Sequence, residues 1–144
     1  MITIDQYFGD YLHHKDVTDE VMENAERLLD HVLQLYALAT YDNVPFPINP
    51  ETNSQVSGQH LGGFRPCDCS IGSRTSAHKQ GLAVDIYDPG SHIDTWISQT
   101  DSADKASNPV LESCGLYREH PSCTDGWCHL STRRPGSGSR TFFP

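Results

Sequence analysis

From Thr18 to Thr40 the sequence TDEVMENAERLLDHVLQLYALAT brings back an apolar side chain every three or four residues, at Val21, Ala25, Leu28, Leu29, Val32, Leu33 and Tyr36. That spacing aligns one apolar stripe along an α-helix, so the stretch predicts a long amphipathic helix with one face against a core. Thr18 is suited to the N-cap. Asp19 and Glu20 then fall where the positive end of the helix dipole favours acids. His31, beside Val32, reads as a partly exposed surface group. A chain of 144 residues has the size of one domain built on one core, and a single domain over 1–144 is expected.

Residues 42–76 break the helical pattern, with Pro45, Pro47 and Pro50 close together and Gly, Ser and Asn recurring throughout. They read as a long structured loop, of a kind that is often functional when ordered, with a short strand expected around 63–65. LAVDIY, residues 82–87, has period two: Leu82, Val84 and Ile86 on a core face, Ala83, Asp85 and Tyr87 on the other. SHIDTWISQT predicts a short helix opened by Ser91, with Asp94 completing a capping box. GWCHLSTR alternates again, with Trp127, His129 and Ser131 on one face and Cys128 and Leu130 on the other, as in a central strand. The closing RRPGSGSRTFFP ends on two phenylalanines that should be tied down against the body. Together these elements predict a chain of mixed helices and strands.

A formal net charge of −9 repels a phosphate backbone, which argues against a nucleic-acid partner. No apolar run approaches the about 20 residues that span a bilayer, so membrane insertion is not expected, and MITIDQYFGD has no signal-peptide pattern. Five cysteines cannot all pair, and the Cys67-x-Cys69 spacing is shorter than the usual zinc pair. Thiols, buried or half-exposed, are the expectation.

The chemistry gathers in SAHKQGLAVDIYDP, where His78 precedes the strand-borne Asp85 by seven residues. An isolated buried carboxylate is costly, and a metal would be one partner for it. His129, on the other alternating strand, offers a second imidazole. Two histidines and an aspartate suit zinc and leave its fourth position to water, the mark of a catalytic rather than a structural site. Zinc so held activates water and polarises a carbonyl, the equipment for cleaving an amide. A turn histidine followed by a salt-bridged aspartate accounts for the same residues without a metal.

SAHKQGLAVDIY resembles the S-x-H-x-x-G-x-A-x-D signature of the zinc D-Ala-D-Ala carboxypeptidase and endopeptidase family, which shares its fold with the Hedgehog signalling domain. GGFRP is similar to the family's G-[FY]-R element and WCHLSTR to its late aromatic-x-histidine strand, above all in the compact branch of phages and prophages. The resemblance runs from about Gly58 to the end. It implies an α+β, Hedgehog/DD-peptidase-like fold, a small antiparallel sheet flanked by helices, with zinc on His78, Asp85 and His129. Arg65 would bind a substrate carboxylate or carbonyl oxygen near the metal, and Ser76 would orient the loop. The implied function is hydrolysis of amide bonds in peptidoglycan stem peptides, as a D,D-carboxypeptidase or an endolysin-like endopeptidase. The expected protein is a monomer made in the cytoplasm that reaches the wall after phage-type release or from the virion.

One position departs from the family. Where many members carry an acid three residues before the last histidine, this chain has Gly126. The general base is therefore open between Glu119 and Asp125, with Glu119 favoured because Asp125 precedes glycine in a turn. Loss of the base also supports an alternative, a non-catalytic zinc-binding module of the same fold. His120 reads as a loop histidine, Trp127 as packing, and His13, His14, His60 and His92 as solvated groups.

Overall fold

The computed structural model describes residues 1–59 and 61–144; His60 lies outside them. A short helix α1, Ile4–Phe8, opens the chain under a capping box in which Thr3 and Gln6 exchange side-chain-to-backbone hydrogen bonds of 3.2 and 3.0 Å. Helix α2 spans Asp19–Tyr41, and the Thr18 hydroxyl accepts from the Val21 amide at its start. Its buried stripe is Val21, Ala25, Leu28, Val32, Leu35 and Ala39, with Leu29 and Tyr36 half-buried. Leu33, expected on that stripe, is exposed, because the 3.6-residue period carries the face from Leu28 and Val32 on to Leu35. His31 is half-buried, its Nδ1 2.6 Å from the Cys114 carbonyl oxygen.

The sheet has four strands in the order β1-β3-β2-β4: Ala83–Tyr87, Trp127–Ser131, Tyr117–Glu119 and Thr141–Phe142. β3 is central and antiparallel to both neighbours, and Asp85 stands directly opposite His129. The expected antiparallel sheet is mixed, since the chain's tail runs parallel to β2. A turn that begins at Arg133 and passes Pro135 and Gly138 feeds the final segment into that direction, so the two terminal phenylalanines are tethered through Phe142. The strand expected around 63–65 does not form. Instead the far edge of β1 is taken up by backbone contacts with the loop: Val56 bridges Ile86, Ser57 donates to the Asp85 carbonyl at 2.8 Å, and the Asp85 amide donates to Gly62 at 2.7 Å.

Between β1 and β2 lie α3, His92–Ser98, and α4, Pro109–Ser113. The expected capping box at Ser91 is absent: Ser91 sits at φ +51° and makes no side-chain cap, and Asp94 is buried. Asp88 does the work, its carboxylate accepting from the amides of His92, Ile93 and Asp94 at 2.8, 3.0 and 3.1 Å. A carboxylate there also meets the positive helix end. Phe8, Leu28, Leu35, Phe64, Val84, Ile86, Ile97 and Leu130 belong to one cluster of buried apolar residues to which helices, loop and sheet all contribute.

That cluster also surrounds a charge. The Arg118 side chain is fully buried on β2, and its guanidinium donates to the Asp94 carbonyl oxygen (2.7 Å), Ser98 Oγ (3.0 Å), Asp101 Oδ2 (2.8 Å) and Thr141 Oγ1 (3.2 Å). It joins α3, the 101–108 connection, β2 and β4. Removing one partner of such a group strands the others' charges in the interior, so Arg118→Ala should lose about 3–5 kcal/mol. Asp88→Ala, a lost cap, should lose about 1 kcal/mol. Urea denaturation of the two variants measures both; similar small losses would remove Arg118 from the structural frame.

Candidate metal centre

His78 lies in a 3-10 turn, Ala77–Gln80, that feeds directly into β1. Its Nδ1 is 2.8 Å from the Gly63 carbonyl oxygen. A carbonyl only accepts, so Nδ1 carries the hydrogen and Nε2 turns a lone pair toward the sheet. There Nε2 lies 3.4 Å from Asp85 Oδ1 and 3.4 Å from His129 Nδ1, while His129 Nδ1 lies 2.7 Å from Asp85 Oδ1. A four-coordinate ion with bonds of about 2.0–2.1 Å holds its ligand atoms about 3.3 Å apart. Two of the three edges already have that length, and the third is a hydrogen bond that a cation would replace. The three residues therefore form a group able to hold a metal ion, with all ligand atoms within 4.8 Å of one another.

The group is well enclosed: His78 is 3% and Asp85 7% exposed, and His129 is half-buried. Burial alone would raise the Asp85 carboxyl, but the His78 imidazole and hydrogen bonds with His129 and His78 outweigh it and hold the acid well below the usual carboxylate range. Asp85 is thus kept as an anion, the form that ligates. Its second oxygen accepts from Arg65 Nη2 at 2.9 Å.

The loop that carries Arg65 is fixed by close backbone approaches. A Cβ on Gly62 would lie 2.1 Å from the Ser57 carbonyl oxygen, and one on Gly63 would lie 1.9 Å from that of Tyr7. Only glycine allows both contacts. The same Tyr7 carbonyl accepts from the Phe64 amide at 3.1 Å, and the Tyr7 hydroxyl donates to Ala83 at the head of β1 at 3.0 Å. Gly63 then supplies the carbonyl that orients His78, so the GGFR segment and α1 together set the imidazole.

A cleft of about 360 Å³ opens over the triad, and Arg65, Glu119 and Trp127 are among its walls. Burial raises the Glu119 carboxyl above its ordinary value; His129 opposes the rise and Asp85 adds to it. Of the two acids weighed as general base, Glu119 is in this cleft. Asp125 is exposed and is not among the residues lining it. β2 explains the difference. Arg118 pairs with Leu130 on the buried face, so Glu119, the next residue, shares the face of His129. Trp127, expected as packing, is half-buried and lines the cleft, and Ser76 lines it too. Arg65 is at the centre, but two of its nitrogens are committed, Nη2 to Asp85 and Nε to the Leu61 carbonyl oxygen at 2.6 Å.

No family model, curated protein or solved structure matches this chain.

Among the described residues the other candidates resolve into structural roles. All five cysteines are free thiols, and the Cys67 and Cys69 carbonyls accept from Lys79 Nζ at 3.1 and 2.8 Å. His120 is a loop histidine, bonded through Nδ1 to Ser122 and stacked on Phe143 at 4.4 Å. His14, read as solvated, is half-buried beside Asp16 and Asp68, a grouping with ligand-like spacing. It is already spoken for: His14 Nδ1 accepts from the Asp16 amide, and Asp16 Oδ2 accepts from Cys67. Sequence reading did not reach the second half of the cleft, where Phe142, Arg133 and Arg134 stand; the only signal was a tail ending in aromatics.

A ligand that binds only the folded state stabilises it by about 2.7 kcal/mol at 100 times its Kd. Zinc added to metal-free protein should therefore raise the melting temperature and reach one ion per chain by elemental analysis. In His129→Ala both effects should disappear.

Proposed function

We propose that this protein is a zinc-dependent peptidase that hydrolyses amide bonds in the peptide stems of peptidoglycan. The observation that carries the reading is the gathering of His78, Asp85 and His129 around one point with Glu119 in the same cleft. Three protein ligands suit a catalytic zinc, which when bound polarises a carbonyl and acidifies water. The choice of substrate rests on the likeness of SAHKQGLAVDIY, GGFRP and WCHLSTR to the zinc D-Ala-D-Ala peptidases, and action on the wall after phage-type release or virion delivery belongs to the same reading.

The chain's own groups divide the remaining work. Glu119 is half-buried and its carboxyl is more basic than a free glutamate's, which favours accepting a proton and passing it to the leaving amine. Arg65, 2.9 Å from Asp85, balances the carboxylate's charge and presents its remaining donor to the cleft, where a developing oxyanion would gain most from it. Trp127 and Ile71 supply apolar wall. Gly126, whose place suggested a lost base, loses its force as an argument for an inert module because Glu119 supplies a carboxylate from β2.

Zinc-loaded protein should release new amines from purified peptidoglycan. Glu119→Gln should lower kcat about 10²–10⁴-fold with zinc content unchanged, the range for a lost general base, and Asp125→Asn should stay near wild type. Wild-type protein that holds zinc and releases nothing would instead favour the non-catalytic module.

A further inference from the structure

Beside the cleft over the triad, and sharing Ser73, Ser76, His129 and Pro144 with it, lies a second chamber of about 430 Å³ whose lining includes Thr75, Arg133, Arg134 and Phe142. In a chain with nineteen acids against ten bases, the consecutive residues Arg133 and Arg134, both exposed, line this chamber, and no acidic side chain is among its described lining residues. The two arginines are also unspent. Arg133 Nη1 donates to the Thr75 carbonyl oxygen; the rest of its fork, and all of Arg134's, has no protein hydrogen-bond partner among the described residues. By contrast Arg65 and Arg118 are committed to carboxylates, and Arg140 donates to the Leu116 carbonyl and covers the Tyr117 ring.

We infer that this chamber is a carboxylate subsite: Arg133 and Arg134 bind a free carboxylate of the peptide whose scissile amide lies over His78, Asp85 and His129. A planar guanidinium fork matches a carboxylate in two parallel hydrogen bonds, and Phe142 adds apolar surface to the same chamber. The arrangement moves carboxylate recognition away from Arg65, which is paired with Asp85, and sets it in the chamber beside the cleft. The carboxylate belongs either to the peptide's C-terminus or to an acidic side chain near the cut bond. The inference rests on the peptidase reading in taking the ligand to be a peptide and in setting its scissile amide over the triad.

Binding is measured by calorimetry with zinc-loaded Glu119→Gln protein and three synthetic peptides containing D-residues: one with both carboxylates free, one amidated at the C-terminus, one amidated at the acidic side chain. Loss of the recognised carboxylate should weaken binding about tenfold, the worth of one charge-assisted pair; the amidated peptide that suffers the loss identifies the source. Adding Arg133→Gln and Arg134→Gln should abolish the difference and leave the affinity of the weaker peptide unchanged. If loss of the Thr75 contact unfolds that protein, Arg134→Gln alone and the peptide comparison decide. Equal affinity for all three peptides, or a preference that survives the arginine substitutions, overturns the subsite. Failure of the peptidase reading looks different: wild-type protein leaves every peptide uncut while the affinity difference remains.

Discussion

The pairing of Asp85 with His129 across β1 and β3 is the constraint on which the rest depends. Side chains alternate across a strand, so a slip of one residue would set Cys128 or Leu130 against the carboxylate and turn His129 into the core. Several contacts resist that slip. On the outer edge of β1, Ser57 and Gly62 take both backbone groups of Asp85; at its head, Leu82 accepts from Ser131 Oγ and from the Thr132 amide. A hydrogen bond to a charged group contributes about 1.5–3 kcal/mol, and a buried charge left without one costs more. The backbone bonds fix the register, and the register in turn sets the Asp85 carboxylate against His129, with Arg65 on its other oxygen, so that the anion is held in the interior.

The sheet carries charge on both faces and treats it oppositely. Toward the helices, Arg118 is enclosed with Asp94 and Asp101 and reaches no solvent. Toward the cleft, Asp85, His129 and Glu119 meet an open space. Because Arg118 and Glu119 are consecutive, β2 joins a closed ion network to the group proposed as proton acceptor with a single peptide unit between them. Rigidity on one face is what positions chemistry on the other.

Much of this was legible in the sequence because it follows a period. The helix from Asp19, the strands holding Asp85 and His129, and the separation of core faces from polar faces all come from spacings of 3.6 and 2. What escaped was whatever depends on contacts between distant segments. Residues 55–57 and Gly62 complete the edge of β1 without becoming a strand, and nothing in their order signals it. Asp88 displaced Ser91 as the cap because its carboxylate reaches three amides while Ser91 is held in a left-handed conformation. The chain's last strand is two residues long and parallel, below what alternation can reveal. The sequence favours Glu119 over Asp125 only because Asp125 precedes a turn glycine; the pairing of β2 with β3 that puts Glu119 in the cleft is a long-range contact that spacing does not reveal.

Tyr7 gives the amino-terminal segment an influence out of proportion to its size. Its carbonyl touches Gly63 so closely that no side chain fits between, and Gly63 in turn holds the ring of His78. Whatever loosens those first turns, whether a proteolytic nick, a bulky tag or a trimmed terminus, would be felt in the hydrogen bond that orients an imidazole 71 positions after Tyr7. The leading helix is thus a hidden adjustment screw for cation affinity, set at the opposite end of the chain from the strand that bears the last ligand.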